Sequence, residues 1–399
     1  MLIGLIALFN YLINPYGVFT PRIDVSEKVF LKSQERLWKV RAITRTKPNA
    51  LLLGSSRTRD GFDLKEKYFA DGNNWFNSAV NGGNIYEMWH YYEHALSTNK
   101  INKMLIGVDF FMFNAYHKGR DFLPRYFFKK YDSRWNSIPC KKSITQLVST
   151  LISHRALTDS LNTVFGVAFS ELKQLQDESS GFMIREHTKV HEDYSFLGME
   201  EAFLKEFWFP EPEKQFSFRR NDGYSPFDYY HKILESAYQN EIQTVIFISP
   251  SHARLWENLY QVGLGDKWKE WKRELVKINN DLAKKSQKRR FHVIDFSGFH
   301  QYSVEEFPQK EEVHLRYMTY YTDSSHYRFT LGHEMLKVLS SLQHDDKLSS
   351  DWWNSINEKN IDEHLMNIDE NQKSFKRSNL DTIKEINQQV VATQAFRRI

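Results

Sequence analysis

Four apolar runs rich in β-branched residues, at 50–53, 103–108, 243–249 and 291–296, read as strands buried on both faces. A weaker fifth run lies at 75–80. Segments with helical periodicity fall between or after them, at 85–96, 227–239, 267–285 and 329–342. Strands alternating with helices call for a parallel sheet covered on both faces, an α/β fold of three α/β/α layers.

The alternation breaks once, between about residues 110 and 222, where clusters such as PRYFFKKYDSRW (124–135) and EFWFPEPEKQFSF (206–218) mix aromatic and charged residues. A stretch of that length is not a plain loop, and a mainly helical insertion is expected. The core domain is expected over 21–345, followed by a polar helix or tail over 346–399.

The first fourteen residues, MLIGLIALFNYLIN, carry no charge and are closed by Pro15 and Gly17. As a helix they would reach about 21 Å against the ~30 Å hydrocarbon core of a bilayer. With no basic segment before them and no small-x-small cleavage site after, residues 1–20 read as a membrane anchor or signal-like segment. A transmembrane anchor whose first turns are missing is preferred. Arg22, Lys28, Lys32, Arg36 and Lys39 follow it, a flank that the positive-inside rule would place in the cytoplasm.

Composition excludes several classes. The net charge is +4 from 54 basic and 50 acidic residues, without the concentrated basic excess of a nucleic-acid binder. The run Lys284, Lys285, Lys288, Arg289 and Arg290 reads as a solvated helix end. A single cysteine, Cys140, rules out an intramolecular disulfide and a multi-cysteine zinc site. His187 and His191 have the spacing of a helical metal site but no local Glu general-base signature, so no metal or other cofactor is expected.

Two segments carry reactive residue types. Leu51-Leu52-Leu53-Gly54-Ser55-Ser56-Arg57 puts a Gly-Ser-Ser turn straight after a strand, where ligands bind in parallel α/β sheets. A serine at a helix N-terminus presents its hydroxyl beside free backbone N–H groups. The competing reading is an ordinary helix N-cap. The second segment, Tyr321-Thr322-Asp323-Ser324-Ser325-His326, places an Asp where it can fix the tautomer of an imidazole and stabilise its charged form. Asp-x-x-His also arises by chance. Position adds weight: the motif lies between the last strand and the last core helix, on the same sheet edge as Ser56.

Gly54-Ser55-Ser56 resembles the first block of the SGNH hydrolase superfamily, usually Gly-Asp-Ser. Asn77-Ser78-Ala79-Val80-Asn81-Gly82 resembles its second block, and Asp323 with His326 its last. The third block, usually Gly-x-Asn-Asp, would fall at Gly107-Val108-Asp109-Phe110, where the oxyanion-binding Asn is absent. The resemblance covers about 49–342, apart from the insertion. It implies a flavodoxin-like sheet, a Ser56–His326–Asp323 triad, and the Ser56 and Gly82 N–H groups as oxyanion donors. Asn81 and Asn84 are candidate replacements for the missing Asn, and Arg57 and His252 candidate substrate contacts. Arg57 and Arg59 suit an anionic substrate but read more simply as helix-surface arginines, and Asp109 is a candidate partner for either.

The Gly-Ser-Ser variant with a membrane segment is similar to the branch that handles alginate acetyl groups or teichoic-acid D-alanine. That similarity implies O-acyl transfer to an envelope glycopolymer through an acyl-Ser56 intermediate, on the periplasmic or outer side of the membrane, with a membrane protein as acyl donor. Two alternatives stay open: a carbohydrate esterase of the same fold, and a non-catalytic glycan-binding or assembly protein. Tyr126, Phe127, Trp135, Trp208 and Phe209 of the insertion are expected to offer stacking faces to a sugar near Ser56.

Overall fold

Strands form where the apolar runs lie: Ala50–Leu53 (β1), Trp75–Asn77 (β2), Lys103–Val108 (β3), Gln243–Ile248 (β4) and His292–Asp295 (β5). These come from a computed structural model that describes residues 2–17, 19, 34–117, 148–165, 176–177, 182–183, 192–306, 318–342 and 349–397. All five pair in parallel, with Leu52 opposite Asn77 and Leu105, Ile106 opposite Ile246, and Phe247 opposite Ile294. Two short strands, Ser349–Ser350 (β6) and Trp353–Ser355 (β7), extend the edge antiparallel and complete a seven-stranded sheet of order β2-β1-β3-β4-β5-β7-β6. The fold is therefore α/β with a mostly parallel sheet. The antiparallel edge was not expected, because strands of two and three mostly polar residues leave no apolar run to read.

Side chains of a strand alternate between faces, and both faces here are apolar and covered. Leu51, Leu53, Met104, Ile106, Ile246 and Val293 share one core with helices Glu35–Thr46 (α2), Ile85–Leu96 (α4), Pro226–Gln239 (α7), Ala253–Gln261 (α8) and Gly265–Lys285 (α9). Ala50, Leu52, Leu105, Phe247 and Ile294 form a second core with Phe62, beyond the short helix Ser56–Gly61 (α3), and with Phe329–Ser341 (α10). Fully burying one such Leu or Ile contributes about 1.5–3 kcal/mol.

The residues after 349 include two helices, Ile361–Ser378 (α11) and Leu380–Arg397 (α12). Their Leu365, Ile368, Phe375, Ile383, Ile386 and Val390 join the first core, so this polar stretch hides an apolar stripe. At the other end, Leu2–Ile13 (α1) packs against His154–Val164 (α5). Asn10 Nδ2 donates to Leu151 O at 2.6 Å, and the Tyr16 hydroxyl donates to Asp159 Oδ2 at 2.7 Å. Leu2, Ile3, Leu5 and Leu8 stay exposed. Among the described residues no helix is long and apolar enough to cross a membrane.

The described part of the insertion is mainly helical. It holds a 3-10 turn Phe110–Phe113, α5, a helix Glu192–Ala202 (α6) running into a π turn Phe203–Phe207, and a ribbon of Gln176–Asp177 with Phe182–Met183. Tyr126, Phe127, Trp135, Cys140, His187 and His191 lie outside the described residues.

Candidate active site

The chain leaves β1 through Gly54 and enters α3 at once. A Cβ on Gly54 would sit 2.2 Å from Thr58 Oγ1, and one on Gly107 of β3 would sit 2.1 Å from the same atom. Only glycine at both strand ends lets α3 press this closely onto the sheet. Ser55 is the N-cap: its Oγ accepts the Arg57 N–H at 3.2 Å and donates to Asp109 Oδ2 at 2.5 Å. That leaves Ser56, the first helical residue, with its hydroxyl directed elsewhere.

Ser56 Oγ lies 2.8 Å from His326 Nε2, and His326 Nδ1 lies 2.8 Å from Asp323 Oδ2 and 3.0 Å from Oδ1. With Nδ1–H donating to the carboxylate, Nε2 is the acceptor of the Ser56 hydroxyl proton. Asp323 Oδ1 also accepts the backbone N–H groups of Ser325 and His326, each at 2.8 Å, so the Asp-x-x-His spacing closes a tight loop around the carboxylate. The loop is pinned from outside. His252 N–H donates to Ser324 O at 3.0 Å, Ser251 Oγ to Ser325 O at 3.3 Å, and Arg57 Nε to Ser325 Oγ at 2.9 Å. Ser56, His326 and Asp323 are all buried.

The segment after β2 runs beside this turn. Ser78 N–H donates to Leu52 O at 2.8 Å and Val80 N–H to Gly54 O at 3.2 Å, which brings Gly82 toward the start of α3. Gly82 has φ +56°, a left-handed conformation that disfavours side chains. Its carbonyl accepts from His117 Nε2 at 3.0 Å. Neither the Ser56 N–H nor the Gly82 N–H has an acceptor among the described residues.

No protein-family model matches the chain, and no curated protein matches it significantly.

The sequence-predicted contacts divide. Ser56, Asp323 and His326 are brought together, and the Asn81 side chain has no partner among the described residues. Arg57, Asn84 and His252 have other work. Arg57 is buried, with Nη1 on Asp109 Oδ1 at 3.0 Å and its guanidinium 5.5, 5.3 and 5.9 Å from the Phe111, Phe203 and Trp256 rings. Arg59 is buried too, paired with Glu35 and Asp60. Asn84 Oδ1 caps α4 through the Glu87 N–H at 3.0 Å, and its Nδ2 donates to His117 O at 3.1 Å. His252 caps α8 through the Arg254 N–H, donates from Nε2 to Glu305 O at 2.8 Å, and packs between Phe196 and Tyr321. Burial pushes its imidazole down to about 4, so it is a neutral packing histidine.

Asp109, standing where the resemblance places the oxyanion Asn, is consumed by Ser55 and Arg57. The insertion reaches the site through packing: Phe203 covers Arg57, Phe196 covers His252, and Arg254 Nε meets Glu200 Oε1 at 2.8 Å. Trp208 is fully buried in the core, so its ring is not an open stacking face, and Phe209 is half-buried against the same core. The sequence reading passed over Glu35, Arg36 and Lys39. The last two belong to the basic flank of the apolar N-terminal run, yet all three are buried beside the Asn81–Gly82 turn.

Proposed function

We propose that this chain is a serine-dependent O-acyltransferase of SGNH-like, flavodoxin-like architecture, acting through an acyl-Ser56 intermediate. One observation carries the reading: the unbroken series from Ser56 Oγ through His326 to Asp323, at 2.8 Å for each link. The strand order of its parallel part, 2-1-3-4-5, is the flavodoxin-type order, and supports the same architecture.

The chemistry follows from the groups. His326 Nε2 takes the Ser56 proton as Oγ attacks the carbonyl carbon of an ester, and Asp323 stabilises the imidazolium. The carbonyl oxygen becomes an oxyanion beside the Ser56 and Gly82 N–H groups. Collapse breaks the bond to the leaving alkoxide, which takes the proton from His326. A sugar hydroxyl, deprotonated by the same imidazole, then attacks the acyl-serine and regenerates Ser56. With water as acceptor the same steps make a carbohydrate esterase. The envelope glycopolymer as acceptor and a membrane protein as acyl donor come from the resemblance, and the exposed Leu2, Ile3, Leu5 and Leu8 of α1 favour a membrane-attached setting.

The test is mass spectrometry of the protein after incubation with p-nitrophenyl acetate. One acetyl group on the peptide bearing Ser56 is expected. A wild-type protein that acquires none, and does not react with a fluorophosphonate, leaves only the glycan-binding alternative.

A further inference from the structure

Helix α2 buries three charged side chains, Glu35, Arg36 and Lys39, at 5%, 6% and 0% exposure. Burying charge is costly, and well-packed apolar residues would stabilise a helix contact as well or better. The partners of these three side chains explain where the cost is recovered. Lys39 Nζ donates to Ala79 O at 2.5 Å, Glu35 Oε2 accepts the Asn81 N–H at 3.0 Å, and Arg36 Nη2 donates to Asn81 O at 2.9 Å. Three backbone groups in the three residues before Gly82 are thus each held by a charge from α2. The charges are themselves braced. Arg36 also grips Glu87 with Nε and Nη2, at 2.6 and 3.1 Å, and Glu35 is paired with Arg59.

The Arg36 contact is the informative one. Asn81 C=O and Gly82 N–H belong to one planar trans peptide group, so they point in opposite directions. Fixing the oxygen fixes the direction of the N–H. A cation on the carbonyl also polarises the peptide and makes its N–H a stronger donor. We propose that Arg36 is the positioning residue of the oxyanion site, aiming and polarising the Gly82 N–H, with Lys39 and Glu35 fixing the two flanking backbone groups. This rests on the serine acyl-transfer reading and extends it to α2, which among the described residues has no side-chain hydrogen bond to Ser56 or His326.

The test is turnover of p-nitrophenyl acetate by Arg36→Met and Arg36→Lys, per Ser56 titrated with a fluorophosphonate. Titration removes any loss of folded protein from the rate. A misaimed donor lowers kcat, and loss of a whole donor costs about 10²–10³, so Arg36→Met is expected to lose about tenfold to hundredfold in kcat with KM nearly unchanged. Arg36→Lys, which keeps the charge but not the fork, should fall between. An unchanged kcat per titrated serine in Arg36→Met overturns the proposal. A wild type that never acylates Ser56 overturns the underlying function first.

Lys39 gives a second handle should Arg36→Met not fold. The charged groups that act on it are Glu35 on its own helix and Arg59 and Asp60 on α3, and its Nζ lies 5.7 Å from the Trp38 ring. Burial pushes its ammonium down to about 8, with Glu35 opposing. Wild-type kcat should therefore fall as pH rises through about 8, and the fall should move beyond about pH 10 in Lys39→Arg. A wild type flat in kcat across that range, or a fall that stays in place in Lys39→Arg, contradicts the clamp.

Discussion

Ser55 turns its hydroxyl inward, to Asp109 and the Arg57 N–H, while Ser56 turns its own to His326. Substitution should separate the two. Ser56→Ala is expected to abolish the acetyl adduct while changing unfolding free energy by less than about 1 kcal/mol, since it removes one hydroxyl at a helix start. Ser55→Ala removes a cap and leaves a buried carboxylate oxygen short of a donor, and should destabilise by about 1–3 kcal/mol in urea melts. His326→Ala should lose nearly as much activity as Ser56→Ala, because such groups act as a unit. Asp323→Asn should lose no more than His326→Ala. Equal stability losses at the two serines would contradict their division of labour. At this scale the meeting of Ser56, His326 and Asp323 was legible, since strand–Gly-Ser-Ser and Asp-x-x-His are local signals. The fates of Arg57, Asn84 and His252 were not, because burial and partners across the fold decide them.

Buried polar contacts also join whole elements. Asp295 ends β5, and its Oδ2 accepts from Lys272 Nζ of α9 at 2.6 Å and from His364 Nε2 of α11 at 2.8 Å. Burial opposes its ionisation, but Lys272 and then His364 hold the carboxyl well below the usual carboxylate range. A carboxyl depressed in the folded state adds stability above its unfolded value of about 3.9, and that stability is lost as pH falls through the folded value. Lys272→Met leaves Asp295 buried with less compensation and should cost about 3–5 kcal/mol at pH 7. The difference between wild type and variant should shrink in urea melts taken below about pH 4. A gap that stays constant down to low pH would show that the pair is not ionised.

Element legibility followed the same division. The expected bounds of β1, β3 and α4 match those observed, because their apolar patterns are local. Helix α2 went unread because Glu35, Arg36 and Lys39 face inward, and periodicity assigns charge to the solvent side. Helix α8 was missed for a related reason: Arg254, Glu257 and Asn258 are buried within it.

Across the whole molecule, the exposed apolar side chains of α1 are the feature that a watery surface explains least. Wild-type protein is expected to float with anionic lipid vesicles, and Leu5→Glu with Leu8→Glu to abolish flotation. Acetylation of Ser56 should be unaffected in that variant, because Leu5 and Leu8 are exposed and α1 packs on α5. Flotation that survives both charges would remove α1 as the attachment point.

The sheet's central pair, β3 with β4, joins strands separated by the whole insertion. During synthesis β2, β1 and β3 leave the ribosome together, with short connections, and can assemble as a unit before β4 exists. Ser56 belongs to that first unit and His326 to the second. Ser56 and His326 therefore meet only when the two halves dock, so a half-made chain carries an ordinary serine. Whatever reactivity Ser56 has switches on as a late event of folding, timed by the closure of one long-range strand pair.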